Sequence, residues 1–161
     1  MGFIIDGMSE NTTKGWSHAL MSMQDELHLA SRLVTAIGEF APCITTVGTT
    51  IAESLVASDL ADFFIAPAGS ILAKYKWLSN KPGVVISNSV VLNKNDDRGW
   101  SIRVFEEYRE NMIPSIYVDP KYAIDIESQS RNDAAWHANF EMEWENIFPV
   151  VEELISRMGL S

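Results

Sequence analysis
The chain has 161 residues, enough for one domain with a sizeable core, and 47% of them are hydrophobic against 21% charged, a balance that excludes disordered and fibrous classes. Its formal net charge of -10 supplies no broad positive field for phosphate backbones or anionic lipid, so nucleic acid is not an expected partner. The single Cys43 excludes an intrachain disulfide framework and a cysteine-based zinc cage, and within "PCITTVG" it reads as a small packing hydrophobe.

"GFIID", residues 2–6, is a short β-branched run ending in Asp6-Gly7, the pattern of a buried strand feeding a turn. No basic n-region and no long apolar h-region stands in "MGFIIDGMSE", and no run of about 18 apolar residues occurs anywhere. No transmembrane segment is expected, and the expected location is cytoplasmic. Gly2 has the frame of a myristoylation signal, but Asp6 stands where that signal wants Ser or Thr. The polar stretch that follows reads as a long connection through "MSENTTKGWSHALMS", of the kind kept for ligand contact or disorder.

From Met23 on, Leu27, Ala30, Val34 and Ile37 recur at three and four residues, which places an apolar stripe on a helix that Gly38 can stop. "CITTVG" is a second strand, and "TTIAESLVASDLA" a helix with Thr49 or Thr50 at its N-cap and a Thr50–Glu53 capping box. "DFFIAP", residues 62–67, is apolar throughout and too short for a helix, so a strand buried on both faces is expected. Helical spacing returns through Ile71, Leu72, Tyr75 and Leu78, and "GVVIS" follows the Lys81-Pro82-Gly83 break as a fourth strand. "NSVVLNKNDDRGW" reads as a strand tip and an exposed loop with Asp96 and Asp97 solvated, and "MIPSIYVD" as a further strand or extended segment. Helical spacing of Trp144, Ile147, Phe148, Val151, Leu154, Ile155 and Met158 marks a C-terminal helix, kinked or restarted at Pro149.

Alternation of strands and helices predicts the α/β class: one Rossmann-like domain over 1–161, an open, mostly parallel sheet with helices on both faces. Ligands of such sheets bind beyond the carboxyl ends of the strands, so the turns after Asp6, Val47 and Pro67 are expected to share one rim.

The turn Ala68-Gly69-Ser70 carries the most chemistry. Small residues there let the backbone approach a ligand, with helix-start N–H groups pointing outward to meet an anion such as a diphosphate. Ser70 can donate to phosphate or cap its own helix. Gly48-Thr49-Thr50 is a second small, hydroxyl-rich turn, Lys74 can reach a phosphate or stay solvated, and Glu53 can bond a ribose hydroxyl or serve only as a cap. Neither G-x-G-x-x-G nor G-x-x-x-x-G-K-[ST] is present, which removes the usual dinucleotide and P-loop signatures.

"SDLADFFIAPAGSILAKYKWLSNKPGVVIS" resembles the donor half of glycosyltransferases of GT-B architecture, in heptosyltransferase-like and family 61-like variants. The resemblance implies a C-terminal Rossmann-like domain that binds a nucleotide-diphosphate sugar, while an N-terminal domain or a partner subunit supplies the acceptor site. It places Gly69 and Ser70, with Ala68, at the diphosphate and Gly48 and Thr49 at the preceding turn near the nucleotide. That family often has His or Asp immediately before the glycine, and Ala68 departs from this, so no side-chain catalysis is expected at the turn and no catalytic residue is assigned. No cofactor is expected. His18, His28 and His137 lack metal-ligand spacing, "DGMSENT" lacks the second aspartate of metal-dependent phosphatases, and Ser70 lacks the G-x-S-x-G elbow of hydrolases. Trp16, Trp77, Trp100, Trp136 and Trp144 read as core or lid residues, although Trp16, in the polar stretch, can also stack on a ligand. The competing expectation is a non-catalytic nucleotide-binding or protein-interaction module.

Overall fold
A computed structural model describes residues 2–7, 17–69, 71–93, 111, 113–126 and 140–160, with the side chains of 17–22 left aside. The class is mixed α/β, built on small parallel sheets with helices between the strands. By internal contact the chain divides into two compact units, Met1–Ala61 and Asp62–Ser161.

In the first unit, β1 (Phe3–Ile5) and β2 (Cys43–Thr45) pair in parallel, Ile4 opposite Ile44. Parallel neighbours need a crossover, and α1 (Ser17–Gly38) provides it and packs on both strands. The helix begins at Ser17, within the stretch expected to be a polar connection, because an apolar stripe marks only the part of a helix that packs and does not fix where the helix starts. Met23 and Ala30 from that stripe are buried. After β2 the chain turns through Gly48, whose φ of 78° lies in the left-handed region that glycine enters without steric cost. Then α2 (Ile51–Leu60) starts on the expected capping box: Thr50 Oγ1 accepts from the Glu53 N–H, and Glu53 Oε2 accepts from the Thr50 N–H at 2.9 Å.

The second unit holds a three-stranded parallel sheet of β3 (Phe64–Pro67), β4 (Gly83–Ile86) and β5 (Ile116–Tyr117), with β4 in the middle. Phe64 lies opposite Gly83, and Val84 opposite Ile116. Alternation along β4 feeds two cores. Val85 faces Phe64, Ala66, Leu72 and Tyr75, while Val84 packs with Val118, Val151 and Leu154. The first core is covered by α3 (Ile71–Ala73), which runs into a π-helical turn at Lys74–Leu78; the second is covered by α5 (Trp144–Arg157). Helices therefore cover both faces of this sheet, as parallel strands require. Between β4 and β5 stands a short α4 (Ser89–Leu92), and a 3-10 turn at Pro120–Tyr122 leads to an antiparallel pair, β6 (Ile124–Asp125) with β7 (Phe140–Glu141).

Four expectations change. β3 is buried on one face only: Phe64 and Ala66 are inside while Ile65 is half exposed, because β3 is an edge strand rather than a central one. The segment read as a strand tip is helical over Ser89–Leu92, nucleated by Asn88, whose Oδ1 accepts the Val91 N–H at 2.9 Å. Leu78 is exposed rather than buried, since five residues of π-helix turn the face away from the spacing of a regular α-helix. Finally, the described strands form separate sheets, with β1–β2 in one unit and β3–β4–β5 in the other, rather than one continuous ladder. Asp96 and Asp97 lie outside the described residues.

Candidate functional site
Asp6 leaves the carboxyl end of β1, and its Oδ1 accepts two hydroxyl hydrogen bonds, from Thr46 Oγ1 at 2.5 Å and Ser54 Oγ at 3.0 Å. Both hydroxyl residues are buried. Thr45 Oγ1 donates to the Ile5 carbonyl and accepts the Val47 N–H, and Thr49 closes the turn by donating from both its N–H and its Oγ1 to the Thr46 carbonyl. A Cβ at Gly48 would come within 3.2 Å of the Leu27 side chain. Gly48 and Thr49 thus have structural work of their own: the one makes the turn, the other ties it. Glu53 stands at the same place, with Oε2 accepting from both the N–H and the Oγ1 of Thr50. These hydrogen bonds from Thr50, backbone first, hold its carboxyl below the usual glutamate range, so the cap is ionised at neutral pH.

In the second unit the three strands run parallel, so the turns after Pro67, Ser87 and Val118 lie at one edge of the sheet. Ala68 is tied to it by its N–H, which donates to the Ile86 carbonyl at 2.8 Å, and it packs against the Phe64 core. Gly69 accepts the Leu72 N–H on its carbonyl, opening the helical segment. Among the described residues, a Cβ built on Gly69 meets nothing within 4 Å. That openness separates Gly69 from Gly83, whose Cβ would fall 2.5 Å from the Phe64 ring. Ser70 lies outside the described residues, as do Trp16 and His137. Lys74 sits in the π-helical turn with its Nζ 5.2 Å from the centre of the Tyr75 ring. Gly48, Thr49 and Glu53 therefore gather in the first unit, and Ala68, Gly69 and Lys74 belong to the second.

Two features of the second unit's carboxyl edge were not legible from spacing. Asp125, on β6, accepts from both the N–H and the Oγ of Ser89, so one of the chain's own carboxylates covers the start of α4. Asp119 caps the 3-10 turn by accepting the Lys121 N–H at 3.0 Å, and the Lys121 ammonium lies 2.9 Å from its other oxygen. Hydrogen bonding from Lys121 holds the Asp119 carboxyl below its usual range, and the same contact raises the Lys121 ammonium. Both partners are largely solvated, so the pair contributes little to stability.

The other end of the sheet holds a lysine that sequence reasoning passed over. Lys76 is completely buried, and its Nζ donates to the Ile113 carbonyl. Nearby, Asn80 adopts a left-handed φ of 46° and bonds the same segment twice, its Nδ2 to the Asn111 carbonyl at 3.1 Å and its Oδ1 from the Ile113 N–H at 3.0 Å. A cavity of about 590 Å3 opens here, at the amino ends of the strands, where Asp62 leads into β3, Lys81 into β4 and Ile113 towards β5. It lies away from the strand ends where a ligand was expected. Only its four-residue spacing from Leu72 hinted that Lys76 shares the buried face.

Among the described residues no group of three or more His, Cys, Asp or Glu could hold a metal ion, and no helix is long and apolar enough to cross a membrane. Comparison with models of known protein families, with curated proteins and with solved structures found no match to this chain.

Proposed function
We propose that the chain is the donor-binding part of a glycosyltransferase, Rossmann-like in topology, which holds a nucleotide-diphosphate sugar in the cytoplasm for glycosyl transfer. One observation carries the reading: Pro67-Ala68-Gly69 ends a parallel strand, opens a helical segment, and has no described residue within 4 Å of a Cβ built on Gly69, so a diphosphate can approach the backbone. In this reading the N–H groups at Gly69 and Ser70 stabilise the charge that develops on the departing diphosphate. The acceptor site and the acid–base group come from another domain or subunit. A specific feature also favours a non-catalytic sugar-nucleotide module: Ala68 offers no titratable group beside the turn.

A thermal-shift screen against nucleoside diphosphates and nucleotide sugars tests the proposal, with Gly69→Asp as the control. A ligand at 100 times its Kd stabilises the native state by about 2.7 kcal/mol. Because a Cβ at Gly69 meets no described residue within 4 Å, the variant is expected to keep its fold, checked by its melting temperature without ligand, and to lose the ligand-dependent shift. A folded wild-type protein that responds to no nucleotide rejects donor binding. Turnover with an added acceptor-domain partner separates the catalytic reading from the binding module.

A further inference from the structure
The cavity at the amino ends of β3–β5 is lined by apolar Ile113, Ile116, Leu154 and Met158 and by the cationic residues Lys81 and Arg157. Its volume of about 590 Å3 is within the range of small-molecule sites. Two of the chain's 12 cationic residues line one apolar hollow, with Asp62 as the carboxylate among the described lining residues, although the chain as a whole has a net charge of -10. Arg157 pairs with Glu153, yet both are more than or about half exposed, and a solvated pair of this kind costs little to rearrange. The guanidinium has five donors and keeps others for a ligand.

The apolar wall is held in advance. Ile113 has both backbone polar groups engaged, its N–H by Asn80 Oδ1 and its carbonyl by Lys76 Nζ, and Leu154 belongs to a buried core against which Ile116 and Met158 pack. A wall fixed by such contacts need not be ordered when a ligand arrives, which lowers the cost of binding.

The geometry points to a second ligand site: the cavity takes a small amphiphilic anion, its carboxylate or similar head between Lys81 and Arg157 and its hydrocarbon body against Ile113, Ile116 and Met158. This site is separate from the Gly69 turn and does not rest on the donor-binding proposal.

The test uses protein labelled with 13C at the methionine methyls, the Met158 signal among the seven being assigned by Met158→Leu. Octanoate, 1-octanol, octyltrimethylammonium and uridine diphosphate are titrated in turn. Octanoate is expected to move the Met158 methyl with at least tenfold higher affinity than octanol, and the cationic analogue to bind more weakly than either. In Lys81→Gln/Arg157→Gln the advantage of octanoate over octanol should fall below threefold. Ile113→Ser, at a 43% exposed position, should weaken octanoate and octanol by similar factors. Equal affinity for the three eight-carbon probes, or no movement of Met158, overturns the proposal. Movement by uridine diphosphate and not by octanoate also overturns it, whereas failure of nucleotides at Gly69 leaves it standing.

Discussion
Gly83→Ala is the sharpest test of how the second unit is packed. Its added Cβ would lie 2.5 Å from three atoms of the Phe64 ring, which sits opposite it across the β3–β4 ladder. Carbon atoms are comfortable at about 3.5–4.0 Å, so the ring must retreat by roughly 1–1.5 Å. It has nowhere to go: Phe64 is 5% exposed, stacked on Tyr75 with ring centres 4.8 Å apart, and enclosed by Leu72 and Val85. Overpacking of this kind costs about 1–3 kcal/mol. Removing a glycine from the unfolded chain offsets about 0.4–1 kcal/mol of that, which leaves a net loss centred on about 1.3 kcal/mol and at most about 2.6 kcal/mol. Urea unfolding followed by near-ultraviolet circular dichroism reads the change as a lower midpoint with an unaltered slope. Phe64→Leu supplies the cross-check. The double variant should be no less stable than Phe64→Leu alone, because the smaller side chain vacates the space. A Gly83→Ala protein as stable as wild type, or a full penalty persisting in the Phe64→Leu background, refutes the steric argument.

Four further outcomes are expected. Thr50→Ala should destabilise α2 by about 0.5–2 kcal/mol in thermal or urea unfolding, since it removes the Thr50 Oγ1 that accepts the Glu53 N–H and donates to Glu53 Oε2, leaving only the backbone half of the capping box. Glu53 titrates below its unfolded value, so its contribution is complete above the ordinary glutamate range and is lost as pH falls through the lowered folded value; Glu53→Gln should flatten the acid limb of stability in that window, and an unchanged limb contradicts the cap. Asp6→Ala leaves the buried Thr46 and Ser54 hydroxyls without the carboxylate they share, at a cost of about 1–3 kcal/mol, measured by urea unfolding, and a change below about 0.5 kcal/mol would show that the cluster is relaxed. Lys76→Met removes the donor to Ile113 while keeping a similar shape, and should destabilise by about 1–3 kcal/mol; a more stable variant would mean that the buried ammonium is a net burden.

Much of the secondary structure was legible because its signals are local. Thr50 and Glu53 are three residues apart, and a capping box needs only the turn it closes. "GVVI" is a strand because β-branched residues follow a Pro-Gly break, and its burial on both faces gives a continuous apolar run. Local reasoning failed where distant partners decide. "SVVL" has strand-like residues but is helical, with Asn88 capping it and Asp125, 36 residues away, holding Ser89. The site was legible to a similar degree. Small residues at Ala68 and Gly69 announced a turn, and the structure places it at the end of a parallel strand. The sequence could not say that no described residue fills the space over Gly69 while that over Gly83 is filled by Phe64.

Composition, period and caps are properties of short stretches of chain, and they sufficed to determine an α/β protein with parallel strands, a capped α2 and an apolar C-terminal helix. Which strands share a sheet, which of Lys74 and Lys76 is buried, and which hydroxyls meet Asp6 were decided only by the tertiary structure. The physical reason is range: the Asp6 partners lie 40 and 48 residues on, and the Lys76 acceptor 37 residues on. Contacts at such separations form only when whole elements pack, so no local pattern encodes them.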